Sequence, residues 1–201
     1  MNKKVLLINC AYQKGTVTDQ IMGEMFTNLQ NLGVKCEMLT MREESFTACI
    51  HCRVCTQCSD ALPGECVNQD TMNEIVHKIE AADAYVIATP AKFQTTSKVF
   101  KTFFNRLLVY SYWPFGAKEP LPKKERVTKK AVLISAFPIP NFIARIYSKT
   151  MNQLKKSARL IGAEPIDTVY LGMAPMSLLR PLRDDEKKRA LKASQRLFAK
   201  L

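Results

Sequence analysis

Five short apolar runs alternate along the chain with segments that have the apolar spacing of helices. Charged or turn residues flank each run, which is typical of buried parallel strands. The predicted strands are Lys3–Asn9, Val34–Leu39, Ala84–Ala88, Ala131–Ser135 and Ile166–Leu171. Because parallel neighbours need a crossover helix between them, the alternation predicts an α/β fold: a three-layer sandwich with a five-stranded parallel sheet in the middle.

The predicted helices have recognisable ends. Gly33 and Gly162 follow helical patterns at the positions of C-terminal caps, and Asp70 precedes one as an N-cap. The helical patterns begin near Thr18, cover Met72–Ile79, 99–108 and 142–161, and start again at Asp184. Each connects two predicted strands or follows the last one.

With 201 residues, 47% of them hydrophobic, the chain can form one core, so we expect a single domain over 1–201. Two long connections interrupt the pattern: a cysteine-rich insertion at about 47–67 and a proline- and lysine-rich excursion at about 111–128. Asn9 ends the first apolar run too early for a membrane span or a signal-peptide core. We therefore expect a cytoplasmic protein with reduced thiols.

The formal net charge of +12 favours contact with something anionic, such as a nucleotide phosphate. Two of the basic clusters, at 149–159 and 180–200, lie on helical patterns, where a solvated face is the common explanation. A basic module that binds nucleic acid is one alternative. The aromatic platforms of single-strand binders are sparse here, so a nucleic-acid partner is not expected.

Five of the seven cysteines lie in one short segment: Cys49, Cys52, Cys55, Cys58 and Cys66. Three successive C-x-x-C steps let one loop present several sulfur atoms to a single centre, as in iron–sulfur clusters and thiolate zinc sites. The alternative is that these are ordinary small buried residues. His51 is a further candidate ligand, because imidazole can replace a thiolate. Cys10 and Cys36 lie in apolar runs and are expected in the core.

Three loops are expected to meet at one edge of the sheet, beyond the carboxyl ends of the strands: residues 9–18, 89–97 and 135–141. The first loop leads into a helix N-terminus, where free backbone N–H groups attract phosphate. Thr16 and Thr18 add hydroxyl donors, and Lys14 adds a positive charge. Gly15 is its one glycine, so the loop matches neither the dinucleotide fingerprint nor the Walker loop. An ordinary strand-to-helix turn is the alternative.

Three motifs together resemble a known family. They are the strand and loop over 8–18, the segment Cys49-x-x-Cys52-x-x-Cys55 followed by Gly64-Glu-Cys66-Val and Asp70, and Thr89-Pro-Ala-Lys-Phe93 before Ser97. The whole chain resembles the flavodoxin-like NAD(P)H-dependent FMN reductases and the related iron–sulfur flavoproteins. The resemblance implies a flavodoxin-like sandwich that binds FMN.

The resemblance also implies a set of site residues. Thr16 and Thr18 correspond to phosphate ligands, and 90–94 to the turn that contacts the flavin. The cofactor-binding residues implied are Cys10, Tyr12, Thr16, Val17, Thr18, Pro90, Ala91, Lys92, Phe93, Gln94, Ala136 and Phe137. The cluster ligands implied are Cys49, Cys52, Cys55 and Cys66, with Cys58 as an extra candidate. The chain departs from the family at Ala11 and Gln13, where a Ser and an Arg are usual.

The expected function is an FMN-dependent oxidoreductase that passes electrons from NAD(P)H through bound FMN to an acceptor. The cofactor supplies the chemistry, and Lys92 is a candidate for tuning the reduced flavin. The alternative is an electron carrier in which a four-iron, four-sulfur cluster at Cys49–Cys66 exchanges electrons with FMN; zinc at the same cysteines is a further option. Flavodoxin-like reductases usually pair, so a homo-oligomer is expected.

Overall fold

The computed structural model describes residues 3–92, 95–123, 127–147, 149–174 and 180–201. The strands are β1 (Lys4–Asn9), β2 (Lys35–Thr40), β3 (Ala84–Lys92), β4 (Thr95–Thr96), β5 (Ser111–Tyr112), β6 (Leu121–Pro122), β7 (Lys129–Ala136) and β8 (Ala163–Leu171). The helices are α1 (Val17–Asn31), α2 (Met72–Ala81), α3 (Lys98–Arg106), α4 (Asn141–Tyr147), α5 (Lys149–Leu160) and α6 (Asp184–Phe198). Two short 3₁₀ helices cover Val54–Thr56 and Leu107–Tyr110.

The five predicted strands form a parallel sheet in the order β2-β1-β3-β7-β8, which confirms the predicted α/β architecture. The two-residue strand β4 adds an antiparallel pair to β3 and was not predicted. The chain places β2 on one side of β1 and then crosses back over β1 to place β3 on its other side. The strand order therefore reverses between β1 and β3, and a crevice opens at their carboxyl ends.

Alternate residues of each strand enter two separate cores, one on each face of the sheet. Leu6, Ile8 and Tyr85 pack on the face covered by α2, α3 and α5. Leu7 and Val86 pack on the opposite face, against α1 and α6. This period of two explains why the central strands are apolar along their whole length: both faces are covered by helices.

The predicted helix ends are largely confirmed. Gly33 and Gly162 both have φ near +80°, the left-handed conformation that glycine adopts at little cost. Asp70 Oδ1 accepts a hydrogen bond from the backbone N–H of Met72 at 3.1 Å, although the N-cap position of α2 is occupied by Thr71. The helix predicted over 142–161 is described as α4 and α5, on either side of residue 148.

The cysteine-rich insertion and the excursion after α3 pack against each other. The backbone N–H of Trp113 donates to Thr56 O at 2.9 Å, and Lys123 Nζ donates to Cys55 O at 3.1 Å. The Arg53 guanidinium lies 4.0 Å from the centroid of the Trp113 ring. Two segments that are separated by more than 40 residues in the sequence therefore form one substructure beside the end of α3.

None of the helices that the structure describes is both long enough and apolar enough to cross a bilayer.

Candidate functional site

A cleft lies at the point where the strand order reverses. Its walls come from the loop after β1, the first turn of α1, the end of β3 and the end of β7. The lining residues are Tyr12, Thr16, Val17, Thr18, Pro90, Ala91, Ala136 and Ala174. Seven of these eight were predicted as cofactor-binding residues from the sequence. The exception is Ala174, which follows β8 and has no local signal that would distinguish it.

The cleft wall is built largely of small side chains. Ala91 and Ala136 extend two neighbouring strands, and Ala174 is brought to the same place by a hydrogen bond from its backbone N–H to Phe137 O at 2.9 Å. These three alanines are less than 10% exposed. A flat apolar wall of this kind suits the face of a planar aromatic ring.

The other end of the cleft is the N-terminus of α1. The Thr16 side chain is the N-cap, and its Oγ1 accepts from the backbone N–H of Asp19 at 3.5 Å. Since the first N–H groups of a helix have no partner inside it, this end of a 15-residue helix favours an anion. An apolar wall beside a helix N-terminus offers places for a ring and for a phosphate, and these residues fit FMN.

The loop before α1 is held by an acidic residue that the sequence analysis did not single out. Asp19 accepts hydrogen bonds from the backbone N–H of Gly15 at 2.9 Å, from Asn9 Nδ2 at 2.5 Å and from Arg42 Nη1 at 2.7 Å. Burial alone would raise the pKa of this carboxyl group, but the three donors hold it below its ordinary value. Asp19 is therefore a carboxylate at neutral pH.

Buried hydroxyl groups lie beneath the cleft. Ser97 Oγ donates to Cys10 O at 3.0 Å and lies 3.1 Å from Thr89 Oγ1, while Ser135 Oγ donates to Thr89 O at 2.8 Å. These contacts join the ends of β1, β3 and β7 to the start of α3. They fix the relative positions of the loops that line the cleft.

Two residues from the predicted set lie behind the cleft wall rather than on it. Cys10 is fully buried, and burial raises the pKa of its thiol far above the ordinary value. Phe137 is 3% exposed and stacks on Tyr170 with 5.8 Å between ring centroids. Both side chains are buried and pack behind the residues that line the cleft. The Lys92 side chain, Phe93 and Gln94 lie outside the residues that the structure describes.

The thiols of the insertion are neighbours, but they are not gathered around one point. Burial, followed by the negative charge of Cys66, Cys49 and Cys52, raises the pKa of Cys55 to about 11. Cys52 and Cys58 are exposed, whereas Cys49, Cys55 and Cys66 are half-buried. In the part of the chain that the structure describes, no three Cys, His, Asp or Glu side chains are close enough together to hold a metal ion.

The backbone between these cysteines includes two residues in the left-handed conformation. His51 and Arg53 have φ of 56° and 62°, values that are uncommon for residues other than glycine. The backbone N–H of His51 donates to Cys49 Sγ at 3.4 Å. Arg53 Nη2 also donates to the carbonyls of Trp113 and Pro114, at 2.7 and 2.6 Å. The contacts from the excursion therefore stabilise the conformation of the cysteine loop, whose thiols are of the type that binds iron or zinc.

The strand order, the cleft at its reversal and the helix N-terminus define a flavodoxin-like α/β protein. The family model for NADPH-dependent FMN reductases matches residues 3–171, and the chain belongs to that family. Two iron–sulfur flavoproteins of Archaeoglobus fulgidus are similar in sequence, at 30% identity over 86 residues and 26% over 103. These matches span 43% and 51% of this chain but 37% and 48% of the relatives, less than half of their length.

Solved structures share the fold over almost the whole chain. An FMN-dependent NADH-azoreductase from Bacillus anthracis, in complex with FMN, has a TM-score of 0.69 at 14% identity and covers 98% of this chain and 100% of its own. An NAD(P)H:quinone oxidoreductase from Methanothermobacter marburgensis has a TM-score of 0.68 at 16% identity, with 98% of each chain covered. At these identities the likeness shows the fold alone.

Proposed function

We propose that this protein is an FMN-dependent oxidoreductase that passes electrons from NAD(P)H through bound FMN to an acceptor. The observation that carries the proposal is the cleft itself, in which a wall of three alanines faces the N-terminus of α1. Membership of the NADPH-dependent FMN reductase family supports the same conclusion. When bound, FMN would supply the chemistry of accepting a hydride and releasing electrons singly or in pairs.

The roles of the protein are to bind and to orient. The N–H groups at the start of α1, with Thr16 and Thr18, would hold the phosphate. Ala91 and Ala136 would contact the face of the ring, and the hydroxyl groups beneath them keep the two strand ends in register. Tyr12, which is 43% exposed, lies at the rim, where it can shield one edge of a bound ring from water.

The proposal is tested on protein purified without air. We expect a flavin absorption spectrum that bleaches on addition of NADH or NADPH and returns when ferricyanide is added as an artificial acceptor. Titration with each coenzyme separately measures the preference between them. Protein that retains no FMN from an excess, and oxidises neither coenzyme in its presence, would contradict the proposal.

A second candidate function is an electron carrier in which a four-iron, four-sulfur cluster exchanges electrons with FMN. It is supported by the electrostatic effect of Cys66, Cys49 and Cys52 on Cys55, and by the names of the two curated relatives. The thiols would have to move closer together to hold the cluster. Cys58 is the extra candidate, since four thiolates complete the ligand set of such a cluster.

Iron and sulfide analysis after anaerobic reconstitution tests this second candidate. We expect about four iron and four sulfide per chain, lost in Cys55→Ser and retained in the matched variant Cys58→Ser. If the analysis finds zinc and no sulfide, the cysteines form a zinc site and not an iron–sulfur cluster. Protein with neither metal would contradict both versions.

We also propose that the protein is a homo-oligomer. Large apolar side chains are exposed on the insertion and the excursion, including Ile50 at 65%, Phe115 at 70% and Leu121 at 63%. Large apolar side chains exposed on one substructure favour a contact with another protein surface. Light scattering after gel filtration is expected to give a multiple of 22.8 kDa. A mass equal to that of one chain at micromolar concentration would contradict this proposal.

A further inference from the structure

The phosphate end of the cleft contains a negative charge of its own. Asp19 lies in the first turn of α1, and its Oδ2 accepts from the backbone N–H of Gly15, which belongs to the loop that would receive the phosphate. A phosphate bound at this loop would be repelled by the carboxylate, and the repulsion is strong where water is partly excluded. Without compensation, Asp19 would oppose the anion binding that the helix N-terminus favours.

Arg42, from another part of the chain, supplies the positive charge that compensates Asp19. It follows the end of β2, and its Nη1 lies 2.7 Å from Asp19 Oδ1. The two side chains are only 17% and 14% exposed, so solvent screens their interaction less than that of a surface pair. The same Nη1 lies 3.5 Å from Ala11 O, in the loop itself. The guanidinium thus contacts both the acid and the loop, and its other nitrogen, Nη2, pairs with the exposed Glu43 at 3.3 Å.

We propose that Arg42 is a positioning residue for flavin binding: by neutralising Asp19 it lets the N-terminus of α1 accept the phosphate of FMN. The inference rests on the proposed function and adds to it a source of selectivity for the phosphorylated flavin. Arg42 need not touch the phosphate, because it acts by removing the repulsion from Asp19 and by holding the loop.

A comparison of FMN and riboflavin affinities distinguishes this role from a merely structural one. The two flavins share the ring, and only FMN carries the phosphate. Removal of the charge in Arg42→Met is expected to weaken FMN binding by about tenfold or more and riboflavin binding by less than about threefold. Arg42→Lys keeps a positive charge and should restore most of the selectivity. The double variant Arg42→Met/Asp19→Asn removes both charges and should also recover FMN binding, because no unpaired carboxylate remains.

The measurement is the dissociation constant of each flavin, from the quenching of flavin fluorescence, at two salt concentrations. Arg196→Met serves as the matched control, because it breaks an ion pair of similar length, with Asp167 at 2.9 Å, on the exposed surface between α6 and β8. Circular dichroism identifies any variant that fails to fold. Asp19→Asn alone keeps one side-chain oxygen, enough for Gly15 N–H but not also for Asn9 Nδ2 and Arg42 Nη1, so its riboflavin affinity shows whether the loop is preserved.

A fall in the ratio of FMN to riboflavin affinity in Arg42→Met, with recovery in the double variant, supports the inference. An unchanged ratio in folded Arg42→Met overturns it and leaves the proposed function in place. Equal losses for both flavins also overturn it, since they indicate a general distortion of the cleft. A wild-type protein that binds neither flavin overturns the proposed function itself.

Discussion

Arg106 and Asp70 form a buried, two-point ion pair: Nη1 lies 2.7 Å from Oδ2, and Nη2 lies 2.9 Å from Oδ1. Arg106 is 2% exposed. Its guanidinium also donates to Thr47 O at 2.9 Å and to Asn68 O at 3.4 Å. One side chain at the end of α3 therefore holds the start and the end of the cysteine-rich insertion.

Loss of this pair should be costly. In Arg106→Met the partly exposed carboxylate of Asp70 keeps its bonds from Thr47 and Met72 but loses its partner, and we expect the free energy of unfolding to fall by about 2–3 kcal/mol. Arg196→Met, which breaks an exposed pair, should cost about 0–1 kcal/mol. Urea denaturation of both variants measures the difference. Equal, small losses would show that the insertion is held by other contacts.

The same pair predicts a dependence of stability on pH. Burial alone would raise the pKa of Asp70, but hydrogen bonds from Arg106, from Thr47 and from the backbone N–H of Met72 lower it from 3.8 to about 2. A carboxyl group whose pKa is lower in the folded protein stabilises the fold above pH 4, and this contribution disappears as the pH falls towards 2.

Between pH 5 and pH 2, the wild type should therefore lose about 2 kcal/mol more than Asp70→Asn, which has no carboxyl group to protonate. Denaturation curves at several pH values measure the two slopes. Parallel slopes would mean that Asp70 titrates near its ordinary pKa in the folded protein.

Gly64 lies where the insertion turns against the excursion. A Cβ atom placed there would be 2.0 Å from Cys55 O and 2.8 Å from Lys123 Nζ. Gly64→Ala should therefore separate these groups and cost about 1–3 kcal/mol. Gly23 lies inside α1 with nothing within 4 Å of its Cβ position, so Gly23→Ala should stabilise the protein by about 0.5–1 kcal/mol. Thermal unfolding of the two variants should shift in opposite directions, and a shift in the same direction would contradict this assignment.

Ala174 offers a test of the cleft that leaves the charged groups alone. A larger side chain in Ala174→Leu would occupy the space beside Ala91 and Ala136, and we expect FMN affinity to fall by about 1–3 kcal/mol. Ala199→Leu, at an exposed position after α6, is the control for the added volume. Fluorescence titration compares the two variants. Undiminished binding in a folded Ala174→Leu would place the flavin elsewhere.

The sheet and most of the cleft could be predicted because their signals are local. The strands are short apolar runs between charged residues, and the loop after β1 leads directly into a helix N-terminus. Seven cleft residues follow from these patterns and the family resemblance. Ala174 does not, since its place depends on the hydrogen bond that joins the loop after β8 to Phe137 O.

The contacts of Arg42 with Asp19 and of Trp113 with Arg53 could not be predicted either, because they also join residues that are far apart in the sequence. Arg42 reaches Asp19 because β2 and β1 are neighbours in the sheet, although 22 residues separate the two in the chain. Trp113 meets Arg53 through the Arg53 guanidinium, which donates to the Trp113 carbonyl and lies over its ring, and the two residues belong to separate long connections. Both contacts depend on tertiary structure that brings distant segments together, and no local sequence pattern indicates which segments these are.

The insertion and the excursion depend on each other for their contacts, and this limits how either segment can change during evolution. Arg53 holds an uncommon backbone conformation with the help of Trp113, and Lys123 binds the carbonyl of Cys55. Neither segment keeps its contacts if the other is shortened. During evolution the two are therefore expected to be gained or lost together, and a graft of the cysteine loop onto another reductase would have to bring residues 111–123 with it.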